Sequence, residues 1–378
     1  MQSLNRILIV GGGISGMATA IHFAEAGVGV DLIDLDPEWR VYGAGITITG
    51  PTLRALRRLG LLDQIKAVGA VTNGTKLLHF TGALIQEMDE PVIEDGLPAT
   101  GGILRPDLHS IMSARVRELG IDVRLGLTVD ALATDATKDS QSVDVRFSDG
   151  SKASYDLVIG ADGIYSKVRA MLFPDAVKPR FTGQSSWRIL CDRPAGFDRG
   201  EIYLGHRNLA GLTACSPTQC YVFLLNTDPG RTWIEPVDWS ATVRDLLADF
   251  GGNLATIREA VTADTPVVYR PLENALQPPP WHKGRVVLIG DAAHATTPHL
   301  ASGAGIAVED ALVLREELAA CDGDIEAGLI AFTERRYSRC KLVVDSSIAI
   351  GEAQIRGTPS QEVGMMMGKA LHALFAEI

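Results

Sequence analysis

The sequence predicts a mixed α/β protein: a Rossmann-like, parallel-sheet nucleotide-binding domain interleaved with a second, β-sheet domain and finished by helices. Three observations carry this prediction. The chain opens on a complete strand, tight turn, helix and strand. Apolar runs that end in Gly-Asp or Asp-Gly turns recur at 156–163 and 286–291. Two segments of short, alternating runs broken by Gly and Pro interrupt the α/β style.

Taken in order, RILIVGGG, ISGMATAIHFAEAG and VGVDLID form the opening βαβ unit, and Met17, Ile21 and Ala24 fall on one helical face. GPTLRALRRLGLLDQI (50–65) predicts a second amphipathic helix, with Leu53, Leu56 and Leu59 inward and its arginines outward. Residues 72–103 read as antiparallel strands, and RPDLHSIMSARVRELG (105–120) returns to helix. Strands follow up to the turn at Asp162. Residues 179–269 read as β hairpins with one helix at 239–250, and beyond the stiff Pro278-Pro279-Pro280 connector the α/β style resumes and ends in helices.

At about 100 to 200 residues per domain, a chain of 378 residues suggests two domains. The expected division gives 1–71, 104–178 and 276–378 to cofactor binding, and 72–103 and 179–275 to substrate. With 46% hydrophobic and 21% charged residues the chain is globular, and its net charge of −11 argues against a nucleic-acid partner. No apolar run approaches the roughly 18 residues that span a bilayer. A strand beginning by Arg6 leaves no room for a signal peptide, so a cytoplasmic protein is expected, with a homodimer as one assembly open to it. The five scattered cysteines form no Cys-x-x-Cys pair and are expected to be mostly buried thiols, with no metal site.

Each of the three turns has a chemistry. In Gly11-x-Gly13-x-x-Gly16 the first glycine permits the tight bend, the second lets the backbone approach a pyrophosphate, and the third lets helix and strand pack closely. A phosphate would then lie at the positive end of the helix. Asp34, at the end of the second strand, stands where a carboxylate accepts from ribose hydroxyls. This pattern binds a dinucleotide and does not separate NAD from FAD. Asp162, flanked by small residues and followed by Ser166 and Arg169, is either a ligand acceptor or a plain Asp-Gly turn. Asp291 can accept from a ribityl chain, which FAD has and NAD lacks. Beyond it, residues 298–305 lead into a helix whose positive end favours an anionic, reduced flavin. His294 is a candidate general base, with a structural hydrogen-bond partner as the plainer reading.

GGGISG, DLVIGADGIYSKVR and RVVLIGDAAHATTPHLASGAGIAVEDA, in this order and separation, resemble the three signature motifs of the class A flavoprotein monooxygenases, the family of p-hydroxybenzoate and salicylate hydroxylases. The resemblance runs from residue 6 to about residue 340 and is weakest between 180 and 275. It implies FAD held by Gly11, Gly13, Ser15, Gly16 and Asp34, by Asp162, and by Asp291, Pro298, Gly303, Ala304 and Gly305. It adds Arg40, Arg105 and Val129 to that set. Where many relatives carry Gln-Gly, this chain has Ser302-Gly303. That departure changes the shape expected above the flavin.

The implied activity is NAD(P)H-dependent hydroxylation of an electron-rich aromatic or heteroaromatic molecule with dioxygen, through a flavin C4a-hydroperoxide. NADH or NADPH would bind only transiently. The cofactor carries the difficult chemistry and the protein supplies placement and dryness, so no protein nucleophile is expected. Trp187, Arg188, Tyr203 and His206 are the candidate substrate contacts, Arg188 for a carboxylate, each with an ordinary sheet position as its alternative. A flavin-dependent reductase or dehydrogenase of the same fold, and a non-catalytic flavin sensor, remain as competing readings.

Overall fold

A computed structural model describes residues 4–41, 43–133, 142–205 and 208–378. The long apolar runs of the sequence assemble into a six-stranded sheet in the order His282–Lys283, Val286–Leu288, Leu157–Gly160, Arg6–Val10, Gly29–Asp34, Asp122–Leu125. All pairs are parallel except the first. Ile7, Leu8, Leu157, Val158, Val286 and Val287 are fully buried, as expected of strands covered on both faces. Helix Ile14–Ala24 packs against Arg105–Glu118 and Gly303–Ala320. A three-stranded antiparallel sheet (Val129–Leu132, Val143–Phe147, Lys152–Tyr155) contributes Val143, Val145 and Phe147 to the same core.

The β-rich segments build a seven-stranded sheet in the order Val267–Leu276, Arg180–Asp192, Gln219–Thr227, Asn208–Ala214, Gly200–Leu204, Gly74–His79, Leu84–Asp89. One face is covered by helices Trp239–Leu246 and Gly252–Ala260, and Trp187, Tyr203, Leu212, Val222, Leu247 and Leu254 form a second core there. A smaller sheet, Gly45–Thr49, Thr100–Leu104 and Ala70–Thr72, joins residues from both styles of segment.

Three details depart from expectation. The helix expected over 50–65 is two helices, Gly50–Arg58 and Leu62–Val68, broken where Gly60 adopts φ +70°. Arg54 faces inward at 6% exposure and donates to the carbonyls of Phe375 (3.0 Å) and Ala376 (2.6 Å), satisfying the end of helix Ser360–Leu374. The single helix expected at 239–250 is followed by a second, Gly252–Ala260, entered through Gly252 at φ +59°. All five cysteines are free thiols. Among the described residues no helix is long and apolar enough to cross a membrane.

Candidate functional site

Strands Val286–Leu288, Leu157–Gly160 and Arg6–Val10 are parallel neighbours, so the turns that follow them share one end of the sheet. The turns touch. A Cβ on Gly11 would lie 2.4 Å from the Ala161 carbonyl oxygen, and one on Gly290 would lie 2.7 Å from Ser15 Oγ. The chain winds to one side of Arg6–Val10 through Gly29–Asp34 and returns on the other with Leu157–Gly160, which opens a crevice at the carboxyl ends.

In the first turn Gly11 takes φ +109° and its N–H donates to Ile33 O at 2.8 Å. A Cβ on Gly16 would sit 1.9 Å from Gly11 O, so helix and strand meet there as expected. Gly13 faces open space, with nothing within 4 Å of its Cβ position. Asp34 Oδ2 accepts the Gly12 N–H (2.7 Å) and Oδ1 accepts the Asp36 N–H (2.8 Å), so this carboxylate shapes the turn while also lining the cleft. A carboxylate offers roughly four lone-pair positions, which leaves acceptor capacity for a ligand. Trp39 fixes the turn from outside: at φ +51°, its indole N–H donates to Gly12 O at 2.8 Å.

Beside this turn lies a cleft open to solvent and bounded by Gly12, Gly13, Asp34, Trp39, Arg40, Arg105 and His109. Arg40 pairs with Asp36 (3.2 Å) and Glu38 (3.3 Å) at its rim. Arg105 Nε and His109 Nε2 are buried with no hydrogen-bond partner among the described residues. Burial lowers the Arg105 pKa while Tyr221 and Asp291 pull it back up. Leaving such donors unsatisfied costs about 1–3 kcal/mol each, which an anionic ligand would offset. Open space at Gly13, a helix N-terminus and these orphaned donors suit the phosphates of a dinucleotide.

The second turn serves the protein itself. Asp162 Oδ1 accepts from Ser166 Oγ (2.5 Å) and Oδ2 from the Val168 N–H (3.0 Å). Ser166 caps helix Lys167–Leu172 by accepting the Arg169 N–H. Arg169, 3% exposed, donates to the carbonyls of Ile164 (2.6 Å), Val177 (3.1 Å) and Ala292 (2.7 Å). Of the two readings open for Asp162, the structural turn is the one these contacts describe.

In the third turn Gly290 adopts φ +56° and donates its N–H to Asp310 Oδ2 at 2.8 Å. His294 Nε2 lies 2.6 Å from the same oxygen, and Arg336 Nε 2.8 Å from Asp310 Oδ1. Glu309 in turn holds Arg336 (2.9 Å) and Arg339 (2.8 Å). Burial alone would lower the His294 pKa, but Asp310 outweighs it and holds the imidazolium well above its ordinary range. His294 is therefore a structural cation at 1% exposure, not a free base. Asp291 is exposed, and no described residue hydrogen-bonds its carboxylate. Of the three motif acids it is the one whose carboxylate no described residue engages.

After the turn, Pro298–Leu300 forms a short helical turn, Ala301 takes φ +48°, and helix Gly303–Ala320 begins. Gly303 and Ala304 are partly exposed at this N-terminus. Gly305 is not: a Cβ there would lie 2.3 Å from Thr52 Oγ1, so its smallness serves packing against helix Gly50–Arg58. Val129 is also corrected, being 0% exposed in the core.

Strand alternation sorts the substrate candidates. Trp187 and Tyr203, each 1% exposed, lie in the core under the covering helices, where Trp187 Nε1 donates to Asn226 Oδ1 (2.8 Å) and the Tyr203 hydroxyl to Glu201 (2.7 Å). They are framework residues. His206 lies outside the described residues. Arg188 points to the opposite face; burial and then Arg105 lower its pKa, with Tyr221 opposing and Arg270 adding to the lowering. Among the described residues it has no hydrogen bond or ion pair. Tyr221 on that face meets Thr47 Oγ1 at 2.5 Å. Trp39, His109, Tyr221 and Arg270 escaped the sequence reading; an aromatic a few residues past the second strand, and a His one turn after Arg105, were the signals available for the first two.

Comparison with known proteins gives the family and the fold. A family model described as "FAD binding domain" matches residues 5–347. YetM of Bacillus subtilis (strain 168) is 33% identical over 95% of this chain and 96% of its own. The 2-heptyl-3-hydroxy-4(1H)-quinolone synthase of Pseudomonas aeruginosa (strain UCBPP-PA14) is 32% identical over 91% of this chain and 88% of its own. A crystal structure of a Klebsiella pneumoniae HpxO variant complexed with FAD superposes with a TM-score of 0.83 at 22% identity, covering 99% of this chain and 95% of that one.

Proposed function

Because the chain belongs to the FAD binding domain family of flavin-dependent monooxygenases, we propose that the crevice at the sheet's carboxyl ends seats an extended FAD and that the large sheet presents the substrate to it. The protein is an oxidoreductase that uses FAD and hydroxylates a small aromatic or heteroaromatic molecule, with NADH or NADPH as reductant. Bound FAD supplies the uptake of hydride and the activation of dioxygen. In our reading Gly11, Gly13, Ser15, Gly16, Asp34, Arg40 and Arg105 hold its adenylate and pyrophosphate. Asp291, Pro298, Gly303 and Ala304 hold the ribityl chain and ring. Residues 1–71, 104–178 and 276–378 then form the cofactor part and the rest the substrate part, in a cytoplasmic protein able to form a homodimer. The observation that supports this reading is the meeting of the three turns beside Arg105, whose buried Nε has no partner among the described residues.

The sheet face opposite the covering helices carries Ile202, Leu204, Leu209, Phe223 and Val268, with Arg188 in register between Phe223 and Val268. Such a wall excludes water from the reacting centre, and Arg188 is the cation on it that can orient an anionic group of the ring. Since oxygen transfer needs an electron-rich ring, a phenol, aminoaromatic or N-heteroaromatic compound is the substrate class. The test is a panel of such compounds screened for acceleration of NAD(P)H consumption by the yellow protein, with ¹⁸O₂ labelling of products. Incorporated label supports the reading. Turnover without label would make the protein a reductase or dehydrogenase, and no stimulation by any compound a non-catalytic flavin sensor.

A further inference from the structure

Helix Arg105–Glu118 enters the cleft with its first turn, and Arg105 and His109, one helical turn apart, both line it. His109 is anchored: its ring stands edge-on to Trp39 (centroids 5.4 Å apart, 85° between planes), and Trp39 is itself tied to Gly12 O. The Arg117 guanidinium lies 5.1 Å from the Trp39 ring. Held this way, His109 Nε2 is buried with no partner among the described residues. Asp34 is the acid that faces it; Arg105 and Arg117 on its own helix, Arg40 on the rim and the helix N-terminus at Gly13 make the surroundings positive.

Resting on the FAD reading above, we propose that His109 is a cofactor-binding residue whose imidazole takes up a proton when the pyrophosphate of the dinucleotide enters the cleft. In the empty cleft, burial and then Arg117 hold the His109 pKa below its ordinary value, so the ring is neutral near pH 7. An anion against Nε2 reverses the balance, because an opposite charge at contact favours the imidazolium. Affinity is then greatest below the pKa of the free ring and falls as pH rises through the higher pKa of the complex. The fall is about tenfold for each unit by which binding raises that pKa.

The experiment is dilution of the holoprotein, with flavin fluorescence reporting released FAD, between about pH 5.5 and pH 8.5. Wild type is expected to lose affinity roughly tenfold across this range. His109→Gln, which keeps a donor and cannot titrate, should show a flat profile, and His109→Leu weaker binding at every pH. ADP-ribose, which carries the same doubly esterified pyrophosphate and lacks the flavin ring, should compete with the same His109-dependent slope. Parallel profiles for wild type and His109→Gln, or a slope seen with FAD and absent with ADP-ribose, overturn the proposal. A wild-type protein that binds no flavin at any pH overturns the FAD reading instead.

Discussion

Replacing Asp310 by Asn probes the link between the buried charges and the third turn. Asp310 is 0% exposed and three nitrogens donate to it: Gly290 N–H at 2.8 Å, His294 Nε2 at 2.6 Å and Arg336 Nε at 2.8 Å, with Cys340 Sγ farther off at 4.0 Å. Asn keeps the shape and removes the charge, leaving Arg336 with Glu309 and His294 with no anion in contact. Hydrogen bonds to charged groups contribute about 1.5–3 kcal/mol each, and breaking a buried pair from one side costs about 3–5 kcal/mol. A loss of roughly 3–5 kcal/mol is therefore expected, a large part of the 5–15 kcal/mol typical of a domain. Urea denaturation reads it, and a loss under about 1 kcal/mol would refute the reasoning. The histidine resonance gives a second readout. With its folded pKa raised above 6.5, His294 contributes stability that is fully present below 6.5 and lost as pH rises through the raised value. Burial would raise the Asp310 pKa, but His294 and Arg336 outweigh it and hold it below 3.8, so its contribution is present above 3.8 and lost as pH falls through the lowered value. The pair stabilises most between those limits. In Asp310→Asn the largest interaction that holds the imidazolium is gone and only that with Cys340 still opposes burial, so the His294 pKa should fall.

Asp291→Ala should purify colourless or shed flavin on dialysis, because no described residue occupies this motif carboxylate; a fully yellow variant with unchanged FAD affinity contradicts the assignment. His22, 5% exposed with both ring nitrogens unpartnered among the described residues, has its pKa lowered to about 4, mainly by burial. As pH falls from 6.5 towards 4 the unfolded chain binds a proton that the folded one refuses, so stability drops there. His22→Leu should raise stability by roughly 1–3 kcal/mol, and by more at pH 5 than at pH 8; a variant no more stable than wild type at pH 5 in a thermal melt refutes this. Arg188→Ala should raise KM about tenfold or more for a carboxylate-bearing ring while leaving a neutral one nearly unchanged, which steady-state kinetics across such a pair decides.

The glycines of the first turn were legible because their constraints are local: Gly11 needs positive φ and Gly16 close approach, and neither depends on distant residues. The alignment of the three turns was also within reach, since βαβ winding makes the strands parallel and their carboxyl ends coincide. What the sequence left open depended on which face a neighbour covers. Alternation puts Trp187 and Arg188 on opposite sides, but the covering helices Trp239–Leu246 and Gly252–Ala260 decide that the indole is framework and the guanidinium faces the other way. Gly305 looked like a ligand glycine because its function, passing Thr52 closely, involves a helix over two hundred positions away. Arg54 looked like a surface charge because the carbonyls it serves lie just past the end of the last helix.

Arg169 has a consequence for how the molecule tolerates change. Its guanidinium bolts Ile164, Val177 and Ala292 together, so the second and third turns are spaced by one rigid strut. The distance from Asp162 to Arg169 is then a gauge length: an inserted residue there would slide Ala292, and Asp291 beside it, out of alignment, whereas a milder exchange at Asp162 would chiefly loosen the short helix that carries the arginine.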